Sequence, residues 1–197
     1  MITTIIFDIG EVYLHLLVGS AKYVQQKTGI PVSDYYFYDK EFDPLMLGQI
    51  TEHEYWEAII KKNSWNISIE DLKESVRKNF KEVKGTRKII EDLRQKGYKL
   101  GLLSNHVKEW VEYCEINYKY HNLFHEVVYS YEAGLSKPNP DIFLFILKKL
   151  KVKPEECLFI DDYIKNIETA KDLGFNTIQF ISAADLKKQL KQLKIKL

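Results

Sequence analysis

The sequence predicts an α/β fold, a doubly wound Rossmann-like parallel sheet core with an inserted α-helical module. Three observations carry that prediction. Short runs of β-type residues are apolar throughout, helical patterning separates them, and one interval between runs is far longer than a crossover requires.

The first β-type run covers residues 3–7 and the second 98–103. A weaker one lies at 127–129, and runs at 158–160 and 177–181 complete the set. Their lack of polar alternation fits strands buried on both faces. Between them, Ile89, Ile90 and Leu93 form an apolar stripe that stops at Gly97. Ile142, Phe143, Ile146, Leu147 and Leu150 mark a second helix, opened by Pro140 and Asp141. Ile167, Ala170 and Leu173 run to Gly174, another helix stop before a strand. Leu186, Leu190, Leu193 and Leu197, interleaved with lysines, predict a docked amphipathic helix at the C-terminus.

The long interval, about 90 residues between the first two runs, exceeds any simple βα connection. Helices are expected near 20–28, 33–45, 52–62 and 69–80, with a helix-start pattern at Thr51, Glu52 and Glu54. The expected division is a core of residues 1–14 and 85–197 with a helical cap of residues 15–84. Ligands of open α/β sheets bind beyond the carboxyl ends of the strands, where an insertion leaving strand one would lie over them. Tyr35, Tyr36, Phe37, Tyr38, Phe42, Tyr55 and Trp56 give this segment an aromatic cluster, expected mostly as packing.

Composition narrows the partners. Across 197 residues, 29 Lys+Arg against 28 Asp+Glu leave a formal net charge of +1, which creates no field to gather nucleic acid or anionic lipid. No apolar run approaches the ~20 residues that span a bilayer, and no basic leader precedes the first strand. A cytoplasmic location follows as the expectation, as a monomer or homodimer. Cys114 and Cys157 lie among apolar neighbours and are expected as buried, inert thiols.

Chemistry gathers at the strand ends. Strand one runs into Asp8-Ile9-Gly10-Glu11-Val12, strand two into Ser104-Asn105, and strand four into Asp161-Asp162, while Lys137 lies in the loop after strand three. Two adjacent carboxylates after a buried strand repel unless a cation compensates, and magnesium takes hard oxygen ligands of this kind. Tyr13, His15 and His106 stand beside these motifs and are expected to be structural, the first two at a hinge.

These segments, with Gly134-Leu135-Ser136-Lys137-Pro138-Asn139-Pro140 and Asp161-Asp162-Tyr163-Ile164-Lys165-Asn166, resemble the four ordered motifs of the haloacid dehalogenase-like (HAD) hydrolase superfamily. The resemblance spans residues 5–174, and the helical interval is similar to the small cap of the dehalogenase-like branch. It implies a Mg²⁺-dependent phosphatase acting on a small phosphorylated metabolite, such as a sugar phosphate, through an aspartyl-phosphate. Asp8 would be nucleophile and metal ligand, with the Gly10 carbonyl and Asp162 as further ligands and Asp161 ligating directly or through water. Ser104 and Asn105 would hold the phosphoryl group, and Lys137 would neutralise the crowded charge.

One position departs from the family's phosphatase pattern. A second aspartate two residues after the nucleophile acts there as general acid and base, whereas Gly10 stands here. Loss of that help, typically ~10²–10⁴-fold, favours activated phosphates whose leaving groups need less protonation. Glu11 is expected to face away from Asp8, because neighbours on an extended strand alternate sides. Rival readings are a 2-haloacid dehalogenase, opposed by the acidic pair and by the lack of an early Arg, and a catalytically degenerate binding or regulatory protein.

Overall fold

Strand and helix alternate as the apolar runs require. The computed structural model describes residues 1–37 and 40–197, apart from the side chains of residues 34 and 35. In chain order the elements begin with β1 (Thr4–Phe7), β2 (Leu14–His15), α1 (Ala21–Thr28), α2 (Phe42–Met46), α3 (Glu52–Asn63), α4 (Ile69–Arg77) and β3 (Lys81–Glu82). They continue with α5 (Thr86–Gln95), β4 (Lys99–Ser104), α6 (Lys108–Tyr118), β5 (Glu126–Tyr129), α7 (Ser130–Ala133) and α8 (Pro140–Leu150). β6 (Cys157–Asp161), α9 (Ile164–Asp172), β7 (Asn176–Gln179) and α10 (Ala183–Gln192) complete the chain.

The main sheet has the order β5-β4-β1-β6-β7, and its paired strands are parallel. β1 is central, with Phe7 in register with Leu102 on one side and Ile160 on the other. The chain builds outward from β1 through β4 and β5, then crosses to β6 and β7, so its topological switch lies at the carboxyl end of β1. Side-chain alternation divides the core between the two faces. Ile5, Phe7, Leu102 and Ile160 pack with α5, α6 and α10; Ile6, Leu103 and Phe159 pack with α8 and α9. Gly101 permits the second contact, since a Cβ there would stand 2.8 Å from Leu150 Cδ1.

The long interval is helical, but three of its details differ from expectation. No helix spans 33–45. A 3₁₀ turn at Asp34–Phe37 and the short α2 stand there instead, and residues 38–39, including Tyr38 of the aromatic cluster, lie outside the described residues. Pro44 explains the division. Deep inside a helix it would lack its N–H and clash with the preceding turn, whereas in the first turn of α2 it costs nothing. α4 ends at Arg77 rather than at residue 80, and the buried Asn79 that follows donates through Nδ2 to the carbonyls of Leu16 (2.8 Å) and Val18 (2.6 Å). β2 and β3, too short to leave a periodic signal, form an antiparallel ribbon at both ends of the interval. Tyr13 beside it donates to Glu82 (2.5 Å) and His15 lies within it.

Elsewhere, α6 and α7 stand where the apolar pattern predicts no element. The C-terminal stripe is shorter than expected: Leu186 and Leu190 are buried, while Leu193 and Leu197 are exposed. After Lys194, at φ 57°, Ile195 folds back into the core in their place. Both cysteines are free and buried, and burial pushes each thiol up to about 12. No described helix is long and apolar enough to cross a membrane.

Candidate active site

Parallel strands deliver their C-terminal residues to one rim, and the register places Asp8 directly beyond Phe7 beside Asp161, the last residue of β6. Backbone pairing holds this placement, since Asp8 N donates to Ile160 O at 2.9 Å. Lys137 Nζ lies 2.8 Å from Asp8 Oδ1 and 2.6 Å from Asp161 Oδ2, over the face of Phe159. Burial pulls the Lys137 ammonium down, but Asp161 and Asp8 together hold it above its ordinary value.

The loop carrying Lys137 is fixed by a reciprocal clamp. Asn105 Nδ2 donates to the Lys137 carbonyl and Lys137 N donates to Asn105 Oδ1, both at 2.8 Å. Asp161 is equally constrained. Oδ1 accepts from Tyr163 N (2.8 Å) and Asn166 Nδ2 (3.1 Å), while Oδ2 accepts from Lys137 and Asn166. Asp162 is partly exposed, and no other described residue donates to its carboxylate.

Asp8, Asp161 and Asp162 each offer an oxygen within 4.8 Å of the others. One ammonium cannot neutralise three carboxylates, and the consequence is visible in the acidity of Asp8 and Asp162. Burial, opposed by Lys137 and reinforced by Asp161, pushes Asp8 up to about 6. Burial, then Asp8 and Asp161, push Asp162 up to about 7. Hard oxygen donors crowded until they resist ionisation fit a divalent cation such as Mg²⁺. The loop after β1 adds a candidate donor. Ile9 O accepts from Val12, Tyr13 and Leu14 N, whereas the carbonyl of Gly10 receives none of the described loop hydrogen bonds.

Beyond the carboxylates lies a recess of about 160 Å³, lined by Asp8, Gly10, Glu11, Leu16, His106 and Trp110 among others. It joins a wider space of about 660 Å³ edged by Lys137, Ser136, Tyr163 and Asp43. Val18, Phe42 and Met46 wall both, so the helical segment closes over the strand ends. Among the described members of the aromatic cluster, Phe42 reaches these walls, while Phe37, Tyr55 and Trp56 are buried in packing.

Of the residues singled out from sequence, Asp8, Gly10, Asn105, Lys137, Asp161 and Asp162 converge as expected. Ser104 ends β4 fully buried, its hydroxyl 3.4 Å from the Asn105 carbonyl, and it lines neither space. Glu11 departs from expectation. β1 ends at Phe7, and Glu11 sits at φ 53° in a turn, so strand alternation no longer applies and it lines the recess with Asp8. His15 Nδ1 (2.8 Å) and Leu16 N (3.1 Å) hold its carboxylate there. Asn166, in the fourth motif, is the anchor of Asp161, a role its sequence position alone does not signal.

A family model described as haloacid dehalogenase-like hydrolase matches residues 13–180. The chain is 31% identical to a D-ribitol-5-phosphate phosphatase of Bacteroides thetaiotaomicron, over 96% of this chain and 97% of that one. It is 39% identical to a glyceraldehyde 3-phosphate phosphatase of Methanopyrus kandleri over 46% of its own length, which spans 39% of that relative. Among solved structures, a HAD-family enzyme of Bacteroides thetaiotaomicron in complex with magnesium superposes at a TM-score of 0.80 with 23% identity, covering 96% and 98% of the two chains.

Proposed function

The chain belongs to the haloacid dehalogenase-like hydrolases, and from that premise we propose that it is a magnesium-dependent phosphatase of a small phosphorylated metabolite. The observation that carries the reading is the three-carboxylate cluster facing one buried ammonium. A relative of nearly equal length named as a polyol phosphate phosphatase supports it.

Asp8 is the proposed nucleophile. Its carboxylate attacks phosphorus, the leaving-group oxygen departs with the P–O bond electrons, and water then hydrolyses the aspartyl-phosphate. Lys137 holds Asp8 in place and offsets the charge of the transferred group. Asp161, with its oxygens already taken by Lys137, Asn166 and Tyr163, positions that ammonium, and Asp162 remains free to ligate. Asp8, the Gly10 carbonyl and Asp162, with Asp161 alongside, would hold Mg²⁺, which supplies charge neutralisation at the phosphate when bound. Asn105 bounds the phosphoryl end, chiefly by fixing the Lys137 loop, whereas the buried Ser104 reaches neither space. Residues 15–84 serve as a cap on the core of residues 1–14 and 85–197, excluding water during attack. Relatives named for primary phosphate esters weigh against a strict need for an activated leaving group at Gly10.

Hydrolysis of p-nitrophenyl phosphate with and without magnesium tests the reading. Activity is expected with the metal, and Asp8→Asn should lower kcat at least ~10³-fold. Chloride release from a 2-haloacid without metal would favour dehalogenation instead.

A further inference from the structure

β4 and β5 pair with Ser104 in register with Tyr129, so the residues that follow them also lie side by side. These are Asn105 and His106 after β4, and Ser130, the first residue of α7, after β5. Ser130 is fully buried, and its single hydroxyl serves two partners. It accepts at 3.0 Å from His106 N, the amide that follows Asn105. It donates at 2.5 Å to Met46 O, 84 residues away in the chain, with His106 O a more distant acceptor at 3.5 Å.

Met46 ends α2, where helix carbonyls have no partner within the helix, and the Ser130 hydroxyl supplies the missing donor from the core. A steric contact marks the same docking. Gly48 sits at φ 68°, and a Cβ there would stand 3.0 Å from Tyr131 O and 3.1 Å from Tyr131 Cβ. The end of α2 is thus seated on Ser130 by a hydrogen bond and on Tyr131 by close approach of the chain.

The seat joins two parts of the site. On one side, Asn105 clamps the loop of Lys137. On the other, Phe42 and Met46, both on α2, wall the recess and the wider space. Removing the hydroxyl would leave the buried His106 N–H and the Met46 carbonyl without this shared partner.

We propose that Ser130 is a positioning residue, which sets the α2 wall that faces the leaving group against the Asn105–Lys137 clamp that faces the phosphate. Ser130 itself lines neither space and acts through Met46 and His106 N. The inference rests on the phosphatase reading and adds to it the residue that aligns the two ends of the site.

The test is steady-state kinetics with magnesium in wild type, Ser130→Ala and Gly48→Ala. The substrates are p-nitrophenyl phosphate, whose leaving group is a bulky ring, and acetyl phosphate, whose leaving group is small. Ser130→Ala should raise KM for p-nitrophenyl phosphate ~5-fold relative to KM for acetyl phosphate, and lower kcat for both. Gly48→Ala lifts α2 from Tyr131 while leaving the His106–Ser130 bond in place. It should raise the same KM ratio and retain kcat for acetyl phosphate. A fraction of unfolded enzyme lowers kcat for both substrates alike and leaves each KM unchanged, so lost stability does not imitate the change in ratio. An unchanged KM ratio in either variant, or an unchanged kcat in Ser130→Ala, would overturn the inference while the phosphatase reading stands. Hydrolysis of neither substrate by wild type would overturn that reading and this inference with it.

Discussion

Asp8 and Asp162, the proposed metal ligands, carry acidities that metal binding would have to overcome, because a ligating carboxylate has to be ionised. Their folded values, about 6 and about 7, lie above the ordinary 3.8. Without metal, the stability tied to these shifts is fully present below about pH 4 and is lost as pH rises through 6 to 7. His106 acts in the opposite sense: its share is present above pH 6.5 and is lost as pH falls toward 3. Comparing melting temperatures with magnesium and with chelator at each pH cancels the histidine and isolates the metal. The metal-induced rise should be near zero at pH 5 and reach roughly 5–10 °C at pH 8 with magnesium about 100-fold above its Kd. Asp162→Asn should abolish most of it. Gly10 permits a second prediction, because a Cβ there meets only Leu16 Cδ1 at 3.7 Å and Asp8 Oδ2 at 3.9 Å. Gly10→Asp should fold, and turnover of an alkyl phosphate should rise relative to p-nitrophenyl phosphate, by up to ~10²-fold if the added carboxyl protonates the leaving oxygen. An equal change for both esters would show that protonation does not limit the reaction.

At the scale of elements, Glu52 joins three helices at one carboxylate. It opens α3 behind the capping box of Thr51 and Glu54, yet it is 1% exposed. Trp56 Nε1 (3.1 Å) donates to it from α3, Trp110 Nε1 (2.8 Å) from α6, and Arg77 from α4. Truncation would leave two indole N–H groups and a largely buried guanidinium without their acceptor. Glu52→Ala should therefore cost on the order of 3 kcal/mol in urea unfolding, and Glu52→Gln distinctly less. This network also marks how far the sequence could be read. The strand-end motifs were legible because each is a local string whose place follows from a buried run, and Asp8, Lys137, Asp161 and Asp162 meet as that logic requires. The joins were not: Glu52 to Trp110, Asn79 to Leu16 and Asn105 to Lys137 link distant residues whose separate signals are ordinary. Two-residue strands such as β2 and β3 leave no period to detect, and the break at Pro44 was overridden by the apolar pattern around it. Glu11 escapes strand alternation because β1 already ends at Phe7 and the chain turns at Glu11.

For the whole molecule, the question is whether the helical segment behaves as a separate unit. The β2–β3 ribbon offers a narrow hinge, with Tyr13 tied to Glu82 and Arg87 bonded to the same carboxylate. The packing argues the other way. Val24, Trp56 and Leu72 of the segment belong to one apolar cluster with Ile5, Leu102 and Leu158 of the sheet. Trp110, on α6, contacts both Phe42 and Phe80 and completes the Glu52 network. A segment that shares its apolar core with the sheet cannot unfold alone without exposing that core, and this opposes independent stability. The closure proposed for this segment would then be a small adjustment at Val18, Phe42 and Met46 rather than a wide swing. Hydrogen exchange across a urea series tests this. Peptides from α3 and α4 should lose protection at the same urea concentration as peptides from β1, β4 and β6. Earlier loss in α3 and α4 would show a separable cap, and the walls of the recess would then have to form anew with each closure.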